Sequence, residues 1–409
     1  MREKKTLAQK LHSRKISQPP AWLYLILAFI WKQLFYKRLG MSIEYKVDPR
    51  KEKGPYIVVS NHASRMDYIY TGLPFLPHRL NYVAGYNEFF RSHLALVFRL
   101  LRNIPKKNFT PDLYTVKEIS RVIKSGHGVC IFPEGMSSIS GANQPVALGT
   151  GKLFKHHKVP VYYSVIRGGY LTSPKYNLRD RVGHVEVEYD QLFTVEDLDR
   201  MSPEEIEFKI NRAIYHDDYA WNKIHKHHYD IGENGAEDLE DLLFWCPKCG
   251  KQHTMATKGN TIFCKECGNG ATMLDTYELV PFDDTCVIPE TQTAWFQMER
   301  ELIRKEVEQE DFVLEEQVQL GMLPEFELLK NQATSQIVGR GTLRLDRTGL
   351  TYTGYPRTIN FDAATVIWLL NPDCVYTRDT YMEVIAGVGH PQDGCTFTDW
   401  REETWNGNK

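Results

Sequence analysis

Between residue 54 and about residue 195, short apolar runs that end in polar turns alternate with helical patterns, and this alternation constrains the fold most. Tyr56-Ile57-Val58-Val59 is apolar and β-branched, and reads as a buried strand. Gly128-Val129-Cys130-Ile131-Phe132 reads as a second, broken by Pro133 and Gly135. Lys158-Val159-Pro160-Val161-Tyr162-Tyr163 carries a third. Buried strands separated by helical segments predict an α/β sheet with covering helices. A chain of 409 residues has room for two or three domains.

The turn after the first strand, Asn61-His62-Ala63-Ser64-Arg65-Met66-Asp67, holds a histidine and an aspartate five apart. On a regular helix that spacing puts the side chains roughly 140° apart. They meet only if His62 lies in the turn and Asp67 in the first turns of a helix. Such a pair makes a base and its orienting carboxylate. With 14 histidines in the chain, the spacing alone proves little, and His225 and Asp230 repeat it in a polar stretch with no strand before it. Ser60 and Ser64 flank the pair, but neither sits in a Gly-x-Ser-x-Gly elbow. Gly149-Thr150-Gly151-Lys152 lacks the first glycine and the Ser or Thr of a phosphate loop. Cys130 falls inside a strand and reads as core.

Four segments follow in order: Asn61-His62-(four residues)-Asp67, the basic stretch Ile104 to Asn108, Phe132-Pro133-Glu134-Gly135, and the Val159-Pro160 strand. In this the chain resembles the glycerophospholipid (1-acyl-sn-glycerol-3-phosphate) acyltransferase family, as a bacterial-type member with an appended zinc ribbon. The resemblance runs over roughly residues 20 to 230. It implies transfer of a fatty acyl group from acyl-CoA or acyl-carrier protein to the hydroxyl of lysophosphatidic acid, giving phosphatidic acid, with no catalytic cofactor. His62 is then the general base and Asp67 its orienter, while Arg65, Lys106, Lys107, Glu134 and Gly135 line the acceptor site. The residues alone leave Glu134 open between base and scaffold. Met136-Ser137-Ser138 stands where the family has Thr-Arg-Ser, and Asn108 stands where it has a phosphate-binding Arg. Lysine binds phosphate without the planar fork of arginine. Another lysophospholipid or alcohol acceptor is therefore the alternative reading.

Residues 1 to 38 hold nine Lys or Arg and one acid, around the apolar run Ala21 to Trp31. That run is shorter than the ~20 residues of a membrane-spanning helix. Its tryptophans and flanking lysines predict a helix at the inner-leaflet interface, on the cytoplasmic face of the cell membrane; the alternative is a helix packed on the protein's own core. No small-residue cleavage site marks a signal peptide. The net charge of -2 gives no global field toward nucleic acid.

Cys246-Pro247-Lys248-Cys249-Gly250 and Cys264-Lys265-Glu266-Cys267-Gly268 are two Cys-x-x-Cys knuckles, each followed by glycine. Their spacing predicts a closed, four-thiolate structural zinc site in a ribbon. Reduced thiolates fit a cytosolic location. The predicted organisation is a basic membrane-associating arm over 1–40, an α/β acyltransferase domain over 41–230, a zinc ribbon over 243–282, a helical linker over 290–335, and a small β-rich, possible pleckstrin-homology-like domain over 336–409. Ser202-Pro203-Glu204-Glu205 predicts a capped helix start, and the cluster His225, His227, His228 reads as a solvated helix end. A non-catalytic binding protein that uses the ribbon and β domain for partner contacts is the reading from another class. A ribbon net charge near zero makes nucleic acid a poor partner.

Overall fold

The computed structural model describes residues 4–33, 40–107, 112–177, 179–307, 309–330, 333, 335–346, 349–354, 359–360 and 396–399. They divide into two compact units: Ser17–Val83 with Ile119–Glu299, and Met1–Ile16 with Ala84–Glu118 and Arg300–Lys409.

The larger unit is built on a mixed sheet. Its strands are β1 (Ser42–Tyr45), β2 (Ile57–Ser60), β3 (Asn81–Gly85), β4 (Val129–Ile131), β5 (Val161–Arg167) and β6 (Glu186–Phe193), in the spatial order β1-β6-β5-β2-β4-β3. Only the β5–β6 pair is antiparallel. The continuous apolar runs of β2 and β4 are explained by burial: every residue of both is buried. Asn61, at the end of β2, receives the Ile166 N–H at 2.7 Å and donates to the Ile166 carbonyl at 2.8 Å, acting as an extra rung that locks β2 to β5.

Helix α1 (Ala21–Trp31) seats one face on the unit. Ala28 packs with Ile69 and Leu73 of the segment that begins as helix α2 (Asp67–Gly72), and the Trp31 ring meets Tyr68 edge-on at 5.4 Å. Its other face is apolar and exposed: Trp22, Leu25, Ile26, Phe29 and Ile30, with Trp22 at 65% and Phe29 at 64%. Helix α3 (Thr150–His157) starts between the two glycines of the rejected phosphate loop, with Gly149 at its N-cap, and both glycine N–H groups donate to the Glu207 carboxylate. A carboxylate already holds those amides.

Ser202 caps helix α4 (Pro203–Ile214) with the full reciprocal box to Glu205, and Ile206, Ile210 and Ile214 are its buried stripe. A separate helix, α5 (Asp218–His225), follows it. Four antiparallel strands, β7 (Met255–Lys258), β8 (Thr261–Cys264), β9 (Gly270–Met273) and β10 (Leu279–Pro281), carry the cysteine knuckles within this same unit. Their sheet is tied inward by polar bonds. Arg181 donates to the Gly235 carbonyl and the Tyr277 hydroxyl, and Asn222 Nδ2 donates to the Thr276 carbonyl.

In the smaller unit the helix Leu7–His12 has a Thr6/Gln9 capping box, and Leu7 and Leu11 pack against Tyr86, Phe89, Phe90 and Leu329. An antiparallel sheet of Val313–Met322, Gln336–Asp346 and Gly349–Gly354 forms its β region. Most of the predicted β-rich stretch 336–409 lies outside the described residues, as does Asn108.

Candidate active site

His62 leaves β2 and enters the turn before α2, and Asp67 is the first residue of α2. Their side chains meet, with His62 Nδ1 2.7 Å from Asp67 Oδ2. Asp67 is 1% exposed, and the Ser64 N–H and hydroxyl both donate to its carboxylate. Burial raises the Asp67 carboxyl above its ordinary value, while His62 and the Ser64 donors pull it back. The imidazole stacks on Phe132 with ring centroids 4.6 Å apart. With Nδ1 engaged by Asp67, Nε2 is the nitrogen left to exchange a proton with a substrate.

The backbone of His62 is gripped from both sides by the loop after β4. Its N–H donates to Glu134 Oε1 at 2.7 Å, and its carbonyl accepts the Ser138 N–H at 2.7 Å. Glu134 is buried and takes two further N–H donors, Asn143 Nδ2 at 2.8 Å and the Gln144 amide at 2.7 Å. Burial pushes its carboxyl up to about 8. The hydrogen bonds act the other way, and each oxygen faces an N–H donor, an arrangement that suits the carboxylate. Gly135 takes φ 81°, a left-handed turn that opens the loop.

Several partners of this grip have no local sequence signal. The His216 N–H donates to Asn143 Oδ1 at 2.7 Å, and the His216 ring is 2.7 Å from Asp218, which also receives the Gly168 and Tyr170 amides. His216 and Asp218 line the same small pocket, about 10 Å³, as His62 and Asn143. Lys175 Nζ reaches Ser137 Oγ at 3.4 Å, bringing a cation to the loop that follows Gly135. Only folding brings these residues to Glu134 and Ser137. The second histidine–aspartate spacing makes no pair: His225 Nδ1 bonds the Trp221 carbonyl and the Asp230 N–H donates to Val182.

The remaining sequence candidates lie as follows. Arg65 forms an ion pair with Asp180 at 2.8 Å. Lys106 and Lys107 belong to the smaller unit. There Lys106 is largely buried, its ammonium lowered by desolvation, and its Nζ donates to the Lys107 carbonyl. Lys107 Nζ lies 5.4 Å over the Tyr86 ring. The four knuckle cysteines converge, with Cys246–Cys267 and Cys249–Cys264 sulfurs 3.6 and 3.8 Å apart. Zinc held by thiolates at about 2.3 Å in a tetrahedron needs sulfurs about 3.8 Å apart, so the set fits that ion. Gly250 and Gly268, behind each knuckle, take φ of 68° and 71°.

A family model described as Acyltransferase matches residues 42–167. No curated protein matches the chain. Among solved structures, the 1-acyl-sn-glycerophosphate (LPA) acyltransferase PlsC from Thermotoga maritima is similar over 52% of this chain and 80% of that one, at 19% identity and a TM-score of 0.40. The family match spans β1 to β5 and encloses His62, Asp67 and Glu134. Residues 42–167 are an acyltransferase domain.

Proposed function

We propose that this enzyme acylates the hydroxyl of lysophosphatidic acid, taking the acyl group from acyl-CoA or acyl-carrier protein at a membrane surface and giving phosphatidic acid. The observation that carries the reading is the His62–Asp67 pair, held at 2.7 Å with Asp67 buried. His62 Nε2 takes the proton of the acceptor hydroxyl as its oxygen attacks the thioester carbonyl. Asp67 keeps the proton on Nδ1 and stabilises the imidazolium. The carbon–sulfur bond then breaks, and the imidazolium returns its proton to the leaving thiolate. No acyl-enzyme is needed, because the substrate hydroxyl is itself the nucleophile.

Glu134 shapes the acceptor side by fixing the His62 peptide, Gly135 by turning the loop behind it, and Lys106, Lys107 and Arg65 are the sequence-derived candidates for the acceptor phosphate. Lys175 joins them, because it reaches the loop where the family pattern has its missing arginine. The four cysteines hold a structural zinc ion in this reading, closed to substrate by its four thiolates.

Among the described residues no helix is long and apolar enough to cross a membrane. The eleven-residue α1 instead offers Trp22, Leu25, Ile26 and Phe29, spaced i, i+3, i+4 and i+7, as one exposed apolar face. We place that face in the headgroup region of the inner leaflet. Because α1 rests on Ile69 and Leu73, it would hold the helix that starts at Asp67 at the bilayer surface, where a lysophospholipid enters.

Purified protein given lysophosphatidic acid and acyl-CoA tests this, with phosphatidic acid followed by mass spectrometry. His62→Ala and Asp67→Asn are expected to abolish product while the protein stays folded. Full activity in His62→Ala would sink the mechanism, and exclusive use of a non-phosphorylated acceptor would exclude the substrate.

A further inference from the structure

We propose that His184, Glu186 and His227 form a second metal site, separate from the four cysteines, that takes a divalent ion of the zinc class. One ligand atom from each lies within 4.8 Å of the others. Glu186 Oε1 is 3.1 Å from His184 Nε2 and 4.0 Å from His227 Nε2. An ion bonded at about 2.1 Å in a tetrahedron needs nitrogen and oxygen ligands about 3.4 Å apart, and the observed spacings bracket that value. The two imidazoles stack with ring centroids 4.0 Å apart and planes 21° from parallel, so one ring turns about its Cβ–Cγ bond to bring both nitrogens onto one ion. His227 Nε2 is buried and has no hydrogen-bond partner, although a ring nitrogen in such a position ordinarily finds one.

The backbone that carries the two histidines is held before any ion arrives. Glu186 is the first residue of β6 and His184 lies two residues before it, and their side chains meet at 3.1 Å. The Tyr229 hydroxyl donates to the His184 carbonyl at 2.9 Å, and the Tyr229 ring packs so closely on Gly183 that a Cβ there would lie 2.0 Å from it. The His227 peptide is clamped on both sides by buried Asn222, whose Oδ1 takes its N–H at 2.9 Å and whose Nδ2 donates to its carbonyl at 2.9 Å. Trp221 backs the cluster, its ring 5.1 Å from His227 and 6.4 Å from His184. Preorganised ligands lose little freedom on binding.

The three side chains are 28%, 33% and 29% exposed, so the site opens on one side and leaves coordination positions to water. This separates it from the closed thiolate site. An ion here would clip the end of α5 to β6. The sequence showed only the His225 to His228 cluster, and two of its members are engaged elsewhere: His225 with the Trp221 carbonyl and His228 with Asp275.

Untagged full-length protein, equilibrated at buffered micromolar free zinc and freed of excess metal, tests the site by zinc counted per chain. His227→Ala and Glu186→Gln are expected to hold one equivalent fewer than the wild type. Cobalt added to protein whose cysteines are already filled with zinc should give weak visible bands without thiolate charge transfer. The affinity of that cobalt should fall by more than about 100-fold in Glu186→Gln, since loss of a direct ligand exceeds the effect of losing an outer-shell partner. Glu186→Gln keeps the shape of the side chain and guards against misfolding in His227→Ala. Equal zinc counts in the wild type and both variants, or unchanged cobalt affinity in Glu186→Gln, would overturn the proposal.

Discussion

Replacing Glu134 by glutamine separates a scaffold from a substrate ligand. The carboxylate accepts three N–H donors: His62 and Asn143 on one oxygen, Gln144 on the other. A glutamine has one acceptor oxygen. Turned toward His62 it keeps two bonds, but its NH2 then meets the Gln144 amide, donor against donor. One buried donor left unpaired costs about 1–3 kcal/mol, and the two retained bonds lose their charge assistance, worth about 1 kcal/mol each. The expected destabilisation is therefore about 3–5 kcal/mol. Relief comes by moving the loop, and that moves the His62 peptide. A shift of about 1 Å in a catalytic group costs on the order of 100-fold in rate.

The assay is steady-state acyl transfer with both substrates varied, beside urea unfolding of the same samples. If Glu134 acts through His62, kcat falls by about 10- to 100-fold, stability falls with it, and KM for the acceptor changes little. If Glu134 instead binds the acceptor, KM for the acceptor rises while stability holds. Wild-type kcat with wild-type stability in Glu134→Gln would refute the scaffold argument outright.

Other consequences follow from single contacts. Glu299 is buried, with one oxygen accepting the Trp245 N–H at 2.8 Å and the other without a partner, and burial raises its carboxyl well above the ordinary value. Its folded pKa exceeds its unfolded one, so its contribution is fully present below about pH 4.5 and is lost as pH rises toward the folded value. Urea midpoints should therefore fall with rising pH, and Glu299→Gln should flatten that slope; an unchanged slope would count against a protonated Glu299. Asn61→Ala removes both rungs to Ile166 and should cost about 2–4 kcal/mol by leaving a buried N–H and carbonyl unpaired, read by thermal unfolding. Trp22→Ser with Phe29→Ser strips two exposed aromatics, each worth roughly 1–2 kcal/mol at a lipid surface, so vesicle affinity read by co-sedimentation should drop about 30- to 1,000-fold with melting unchanged. Chelating metal from the cysteines should lower the melting temperature, since β7 to β10 share polar bonds with the rest of their unit.

What the sequence revealed and what it hid divide along one physical line. Patterns that repeat locally were legible: the apolar runs of β2 and β4, the Ser202 capping box, and the knuckle spacing. The His62–Asp67 contact belongs with them, because five residues and a strand-to-helix turn are enough to specify it. Contacts closed by distant chain segments left no trace. Asn143 and His216 are 73 residues apart, Asn61 and Ile166 are 105 apart, and Lys175 lies 38 residues from Ser137. Each is a single polar residue whose type is common in loops, so composition and periodicity pass over it. The same holds for His227, which local reading counts with a solvated histidine cluster and which folding sets beside His184 and Glu186. The nitrogen proposed to react is thus announced by a motif, whereas its position is held by buried polar groups scattered along the chain. Substitutions at Glu134, Asn143 and His216 should accordingly disturb kcat and stability together, while changes at Lys175 should move KM for a phosphorylated acceptor and leave stability alone. A Lys175→Ala variant with unchanged acceptor KM would remove that lysine from the proposed acceptor site.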